Sequence, residues 1–462
     1  MIDPERELFK WGPIDGKILY IDSFMEQMVM YKKKIKETWP DVIIYIKDGK
    51  VLGISDYGLL RKYGMILYGK FIKDDKKCKT IFDKWNDYAI QIEKWCMKHR
   101  DSDLTKLSDN EIYSQLIEFF KQYDDMWVYG FIPEIANWGQ EENLKVIIKK
   151  QFKQNFIEIF EALTAPEELS FFQIEERDLL KGDIEDHAKK YFWIGNSYGG
   201  VKFLTADDFR NNLKALDKKK LEDIQKFTEN TKKRKQEVKK KYNIPDEIMF
   251  LASKLSYTVW WQDLRKKYIF IALHVINHFA KEIGRRNNIT EEEIEMYSPI
   301  ELLKLAEKGE KIDLNKRKDS YMSYYHEDKN CLTYYFGSEA DEIAMKYTKI
   351  NVDMDIKEIK GMVTSKGKAK GRVRILLGAK DFSTMEKGEI LVASMTSPDY
   401  IVAMRKAAAI VTDEGGMTCH AAIVSRELGI PCIVATRIAT KVLENGEIVE
   451  VDADNGIVRR AK

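Results

Sequence analysis

The pattern of this chain changes near residue 360, and that change restricts its architecture more than any other feature. From about residue 76 to 350, apolar side chains recur every three or four positions. YSQLIEFFKQYDDMWVYGFI (113–132) and KVIIKKQFKQNFIEIFEALT (145–164) show the spacing of one helix face. LSYTVWWQDLRKKYIFIALHVINHFAKEIGRR (255–286) predicts another long helix, apolar enough to be central. The last 102 residues hold 10 of the 26 glycines, so turns are much denser there. Short apolar runs recur among them at 372–376, 389–393, 408–412, 432–436 and 447–451, with one helix predicted near 419–428. A long helical body followed by a compact α/β unit of about 100 residues is the expected order.

Four segments follow from this pattern. Residues 1–75 read as a small mixed α/β segment, because DVIIYIKDGKVLGI (41–54) predicts two strands around an Asp48-Gly49 turn and MILYGKFI (65–72) suggests a third. Residues 76–350 read as the helical domain, 351–360 as a hinge linker and 361–462 as the α/β unit. The fold class is multi-domain α+β. Two stretches of the helical domain read differently from the rest. Residues 217–242 are charged nearly all round and read as a long solvated helix or arm rather than a nucleic-acid contact. Residues 308–330 are polar and read as irregular.

Bulk composition removes several classes. Seventy-seven Lys and Arg against 75 Asp and Glu leave a net charge of +2, without the basic excess a nucleic-acid protein needs. Five scattered cysteines form no CxxC pair, so neither a disulfide framework nor a zinc cluster is indicated. No run of about 18 uncharged apolar residues suggests a membrane span, and MIDPERELFKW lacks the apolar core of a signal peptide. A cytoplasmic location is the expectation.

Only six histidines occur, and one stands behind a glycine turn in TDEGGMTCHAAIVSRELGIPCIV (412–434). Gly415-Gly416 can adopt backbone angles that let N–H groups converge on an anion. A helix starts just after, and its free N–H groups and dipole favour an anion too. Thr418 supplies a hydroxyl two residues before His420. A neutral imidazole there can attack a phosphoryl group, splitting one hard transfer into two easier ones. By itself a histidine at a helix start also fits a cap or core role. Arg426 lies on another face of the helix, where it can meet a phosphate on a facing domain or pair with a surface carboxylate. Cys419 and His420 diverge as helical neighbours, which argues against thiol catalysis.

TDEGGMTCHAAIVSRELGIPCIVAT (412–436) resembles the phosphohistidine signature of the phosphoenolpyruvate (PEP)-utilising enzymes: PEP synthase, pyruvate phosphate dikinase and rifampicin phosphotransferase. SKGKAKGRVRIL (365–376) is similar to the opening of their mobile domain, KGEILVASMTSPDY (387–400) to the strand and loop before the signature, and ENGEIVEVDADNGIV (444–458) to the closing hairpin. The resemblance covers roughly 360–460. It implies a swivelling domain phosphorylated on His420, with Gly415, Gly416, Thr418 and Arg426 around it. Nothing in the 462 residues resembles an ATP-grasp region or the PEP-binding TIM barrel. A separate ATP-grasp protein is therefore the expected donor, with Mg2+ needed at the donor site and possibly at the acceptor site. The helical segment looks, more weakly, like the acceptor-holding part of rifampicin-phosphotransferase-type relatives.

A swivelling domain needs a delivery site. WIGNSYGG (193–200) interrupts the helical period with three glycines, and WWQDLRKKY (260–268) sets two cations beside two tryptophans. Trp193, Tyr198, Trp260 and Trp261 are candidates for an acceptor wall, and Arg265 and Lys266 for phosphoryl-stabilising cations. The aromatics also fit a plain core role. His274 and His278, four residues apart on one helix, have metal-like spacing but no evident third ligand. The rival class is a non-enzymatic phosphocarrier or phosphorylation-dependent regulator whose helical domain binds a protein. A deep aromatic pocket with converging cations would favour the enzyme, and a fully packed bundle the carrier.

Overall fold

The computed structural model describes residues 1–214, 216, 218–348, 356–397, 400–417 and 419–461. The fold is α+β. Three long helices, Asp75–His99, Asp109–Phe152 and Asp246–Arg286, form the centre of the helical body. The second of these opens with a capping box, in which the Ser108 hydroxyl and the Glu111 carboxylate each satisfy an otherwise unpaired backbone N–H. Together the three helices bury a continuous aromatic core that includes Trp85, Tyr123, Trp127 and Trp261.

A five-stranded antiparallel sheet packs on this body in the order β1-β3-β2-β4-β5. Its strands are β1 (Leu8–Asp15), β2 (Val42–Lys47), β3 (Lys50–Asp56), β4 (Ser320–His326) and β5 (Cys331–Phe336). The hairpin between β2 and β3 turns at Asp48 and Gly49, both with positive φ, as the Asp-Gly pair predicts. Strands from segment 1–75 and from segment 76–350 thus share one sheet.

Two expectations are corrected here. Residues 65–72 are not a strand: the helix Tyr57–Leu67 runs into a π-turn at Tyr68–Ile72. Asp56 caps that helix by accepting from Leu59 N at 2.8 Å. Gly64 then lies so close to Gly139 on the Asp109–Phe152 helix that a Cβ would meet Ile135 O at 2.4 Å. This tertiary contact favours helix over the local β preference. Residues 308–330 are not wholly irregular either, because β4 lies inside them and is almost entirely buried. Its hydroxyls made it look like a solvated stretch, but Tyr324 Oη has partners remote in sequence: it donates to Asp41 at 2.6 Å and accepts from Ile2 N at 2.8 Å. The expected helix near 217–242 is present as Lys218–Tyr242.

The C-terminal unit is an eight-stranded sheet in the order β6-β13-β12-β8-β9-β10-β11-β7. The strands are β6 (Glu358–Lys360), β7 (Met362–Ser365), β8 (Lys368–Ile375), β9 (Ile390–Ala393), β10 (Ala409–Thr412), β11 (Cys432–Val434), β12 (Ile448–Asp452) and β13 (Ile457–Arg460). Strands β8 to β11 are parallel neighbours, and the helix His420–Leu428 is the crossover from β10 to β11. Gly429, at φ 66, ends that helix. Of the expected linker 351–360, residues 351–355 lie outside the described residues, and Glu358–Lys360 is β6, paired with β13.

The unit rests on the helical body. Ser394 Oγ donates to Gly12 O at 2.8 Å, Arg405 pairs with Glu176, and Lys50 donates to Leu377 O. Met417 is fully buried in a cluster with Leu144, Ile148, Phe160 and Val259 of the body.

Candidate functional site

Strands β9 and β10 are adjacent and parallel, so the loops at their carboxyl ends meet. The loop after β10 carries Gly415, Gly416 and then His420, the first residue of its helix. Gly415 sits at φ +122, and a Cβ there would come within 2.8 Å of Cys419 Sγ. Only glycine fits this bend. Asp413 pins the base of the loop by accepting from Thr436 Oγ1 at 3.1 Å, Thr440 N at 3.1 Å and the Thr440 hydroxyl.

The loop after β9 brings Thr396, whose Oγ1 lies 2.8 Å from His420 Nδ1. Thr396 is buried. When Nδ1–H donates to Thr396, the other ring nitrogen, Nε2, keeps its lone pair. Burial lowers the His420 pKa from 6.5 to about 3, and the charge of Lys266 adds to the effect. The imidazole is therefore neutral at physiological pH, the form a nucleophile needs.

His420 faces a cleft of about 1540 Å³ between the C-terminal unit and the helical body. Gly415, Gly416, Thr396, Tyr198, Trp260, Arg265 and Lys266 line it as well. Trp193 and Trp261 do not: both are buried in the helical core, Trp193 with its Nε1 donating to Lys190 O at 3.1 Å. Arg265 is buried in the cleft wall, where it pairs with Glu134, donates to Gly130 O at 2.6 Å and lies 4.7 Å over the Trp127 ring. Lys266 lies 3.4 Å from Asp263. Arg426 bends back on its own helix and braces the Ala422 and Met417 carbonyls. Thr418 lies outside the described residues.

His274 and His278 make separate contacts. His274 is enclosed by Phe192 and Phe203, and burial lowers its pKa to about 4. His278 bonds Ser102 O at 2.9 Å. Among the described residues, no three His, Cys, Asp or Glu side chains form a metal cage. Mg2+ is what the sequence resemblance implies; of the carboxylates that line the cleft, Glu134 pairs with Arg265 and Asp263 lies beside Lys266.

Thr396 and Lys145 do not stand out in the sequence. Thr396 lies in SMTSPDY, at the end of a strand next to β10, and that adjacency was the available signal. Lys145 pairs with Glu141 at 2.5 Å, and its Nζ lies 3.9 Å from where a Gly416 Cβ would stand. Its charge was hidden in an ordinary helical run.

Residues 385–456 match the family model described as PEP-utilising enzyme, mobile domain. This segment is a PEP-utilising enzyme mobile domain. The chain is 58% identical over 100 residues to a probable phosphoenolpyruvate synthase of Archaeoglobus fulgidus, covering 22% of this chain and 13% of that protein. It is 54% identical over 100 residues to the phosphoenolpyruvate synthase of Pyrococcus furiosus, covering 22% and 12%. A probable phosphoenolpyruvate synthase of Pyrococcus abyssi is 34% identical over 192 residues, covering 41% and 22%. The chain thus spans between 12% and 22% of the length of these relatives. Among solved structures, an NMR solution structure of Enzyme I (nEIt) covers 77% of this chain and 81% of that chain at 15% identity, with a TM-score of 0.18. The mobile domain holds the glycine turn, Thr396 and His420 together, and no described helix is long and apolar enough to cross a membrane.

Proposed function

We propose that the protein is a phosphotransferase component in which His420 takes up a phosphoryl group and passes it to a small hydroxyl- or enol-bearing acceptor held by the helical body. The observation that carries this reading is the Thr396–His420 contact at 2.8 Å on the wall of the cleft. Thr396 holds Nδ1–H, and Nε2 attacks phosphorus as the donor's bridging oxygen leaves with its electrons. In delivery the acceptor oxygen attacks the same phosphorus, the Nε2–P bond breaks, and its electron pair returns to Nε2. Lys266 is placed to offset the phosphoryl charge in delivery. Arg265 is committed to Glu134 and Gly130, so its role is to shape the wall.

The donor in this reading is a separate ATP-grasp protein that loads His420 while the mobile domain is away from the body. An open aromatic cleft with a cation beside the histidine supports an enzyme over a pure phosphocarrier. Phosphoramidate phosphorylates accessible imidazoles without a protein donor. Treated protein should carry one acid-labile phosphate, mapped by mass spectrometry to His420 and lost in His420→Ala. Lys266→Gln should still load but should discharge to acceptor about 10²-fold more slowly, the usual loss when one transition-state charge partner is removed. Full labelling of His420→Ala would refute the reading.

A further inference from the structure

One stripe of the Asp109–Phe152 helix receives the glycine turn of the mobile domain. Glu141, Leu144, Lys145 and Ile148 stand at i, i+3, i+4 and i+7, so they share one face of it. Met417 inserts beside Leu144 and Ile148 and is fully buried, whereas Gly415 and Gly416 before it are half-buried. Gly416 is where the turn meets Glu141. A Cβ there would stand 3.2 Å from Glu141 Oε1 and 3.9 Å from Lys145 Nζ. Unlike Gly415, Gly416 has no positive φ, so its missing side chain serves this approach rather than the bend.

Glu141 and Lys145 are bonded at 2.5 Å, and each side chain is 13% exposed. The pair is oriented, with its carboxylate end the nearer to the turn. The turn and the helix start at His420 are also where a phosphoryl group finds N–H partners and the positive end of the helix dipole. A carboxylate of the body therefore stands beside the place a second anion must occupy.

We infer that Glu141 makes docking of the mobile domain depend on the phosphoryl state of His420: its carboxylate seats against the turn when His420 is bare and opposes the docked position when His420 carries a phosphoryl group. This rests on the phosphotransfer reading above and adds a positioning residue to it. Lys145 shields only part of the new charge, because it is held by Glu141 and lies farther from the turn. No covalent bond changes in this step. The two equilibria are linked, so if the phosphoryl group weakens docking, docking raises the group's tendency to leave by the same factor. The docked domain is thereby driven to discharge, and the discharged domain seats again.

Met417 reports docking without any label. A methionine sulfur takes oxygen from hydrogen peroxide when solvent reaches it. Met345, 48% exposed, gives the open rate, and Met25, fully buried in the body, reports unfolding. Peptide mass spectrometry of the full chain follows all three. Loading with phosphoramidate should raise the Met417 rate about tenfold in the wild type and by less than about twofold in Glu141→Gln, with Met25 unoxidised in both. His420→Glu sets a fixed negative charge at the same helix start without phosphorylation. It should raise the Met417 rate when Glu141 is present and not when it is combined with Glu141→Gln. Equal Met417 rates before and after verified loading, or the same rise with and without Glu141, would overturn the inference. If His420 takes up no phosphate, the phosphotransfer reading has failed, and the two His420→Glu proteins still decide whether Glu141 senses charge at that position.

Discussion

At the residue scale, the chemistry depends on which nitrogen of His420 is free. Thr396 holds Nδ1 at 2.8 Å, and burial with Lys266 keeps the ring neutral. Thr396→Val removes one hydrogen bond worth about 0.5–1.5 kcal/mol, so phosphoramidate labelling should slow roughly 3- to 10-fold, as read by initial rates. The pH dependence follows from a pKa lowered from 6.5 to about 3. A free histidine protonates and loses its nucleophile as pH falls through 6.5, whereas His420 does not. The ratio of its labelling rate to that of N-acetylhistidine should therefore rise between pH 7.5 and 5.5. Linkage has the matching sign: folding depresses this pKa, so the ring's contribution to stability is full above pH 6.5 and shrinks as pH falls toward 3. His420→Gln lacks that term, and its melting temperature should fall less than the wild type's between pH 7 and 5. The glycine turn and the histidine were legible because their meaning is local. Thr396 was not, because its role depends on β9 lying beside β10, which no short window of sequence shows.

At the scale of elements, the long helices and the short strands after residue 360 were readable from their periods, and the Asp48-Gly49 hairpin from its turn. The failures came where a partner far along the chain decides the outcome. Residues 65–72 have β-branched and aromatic side chains, yet they follow a capped helix that must lie on the Asp109–Phe152 helix through Gly64 and Gly139. Strand β4 is rich in serine and tyrosine, and it is buried only because β2 and β5 flank it. The cleft was half visible: Tyr198 could be named from broken periodicity and Trp260 from the cations beside it, whereas Phe9 and Trp11 reach the same cleft from β1. The Gly64–Gly139 contact gives a test of its own. An alanine at 64 has no room against the backbone of Ile135 and Gly139, and overpacking of this kind costs about 1–3 kcal/mol. Urea denaturation of Gly64→Ala should show that loss, and an unchanged midpoint would mean the two helices can separate without penalty.

At the scale of the whole molecule, the mobile domain forms one side of the cleft in which we propose the acceptor binds. Its contacts with the body include the Arg405–Glu176 ion pair, the Ser394 bond to Gly12 O and the buried Met417. In the proposed reading, delivery and loading occupy different positions of one histidine. Arg405→Cys with Glu176→Cys, joined by a short bismaleimide, should block loading by an ATP-grasp donor while leaving a preloaded phosphoryl group able to reach an acceptor already in the cleft. Equal rates in the crosslinked and open proteins for both half-reactions would rule out the swivel. The central claim, that His420 is the phosphoryl carrier with its Nδ1 held by Thr396, is tested most directly by 31P NMR of the phosphoramidate-loaded chain. The account predicts a single phosphohistidine signal of the Nε2 isomer, absent in His420→Ala. Phosphate on Nδ1 of His420, or a signal that survives in His420→Ala, would contradict it.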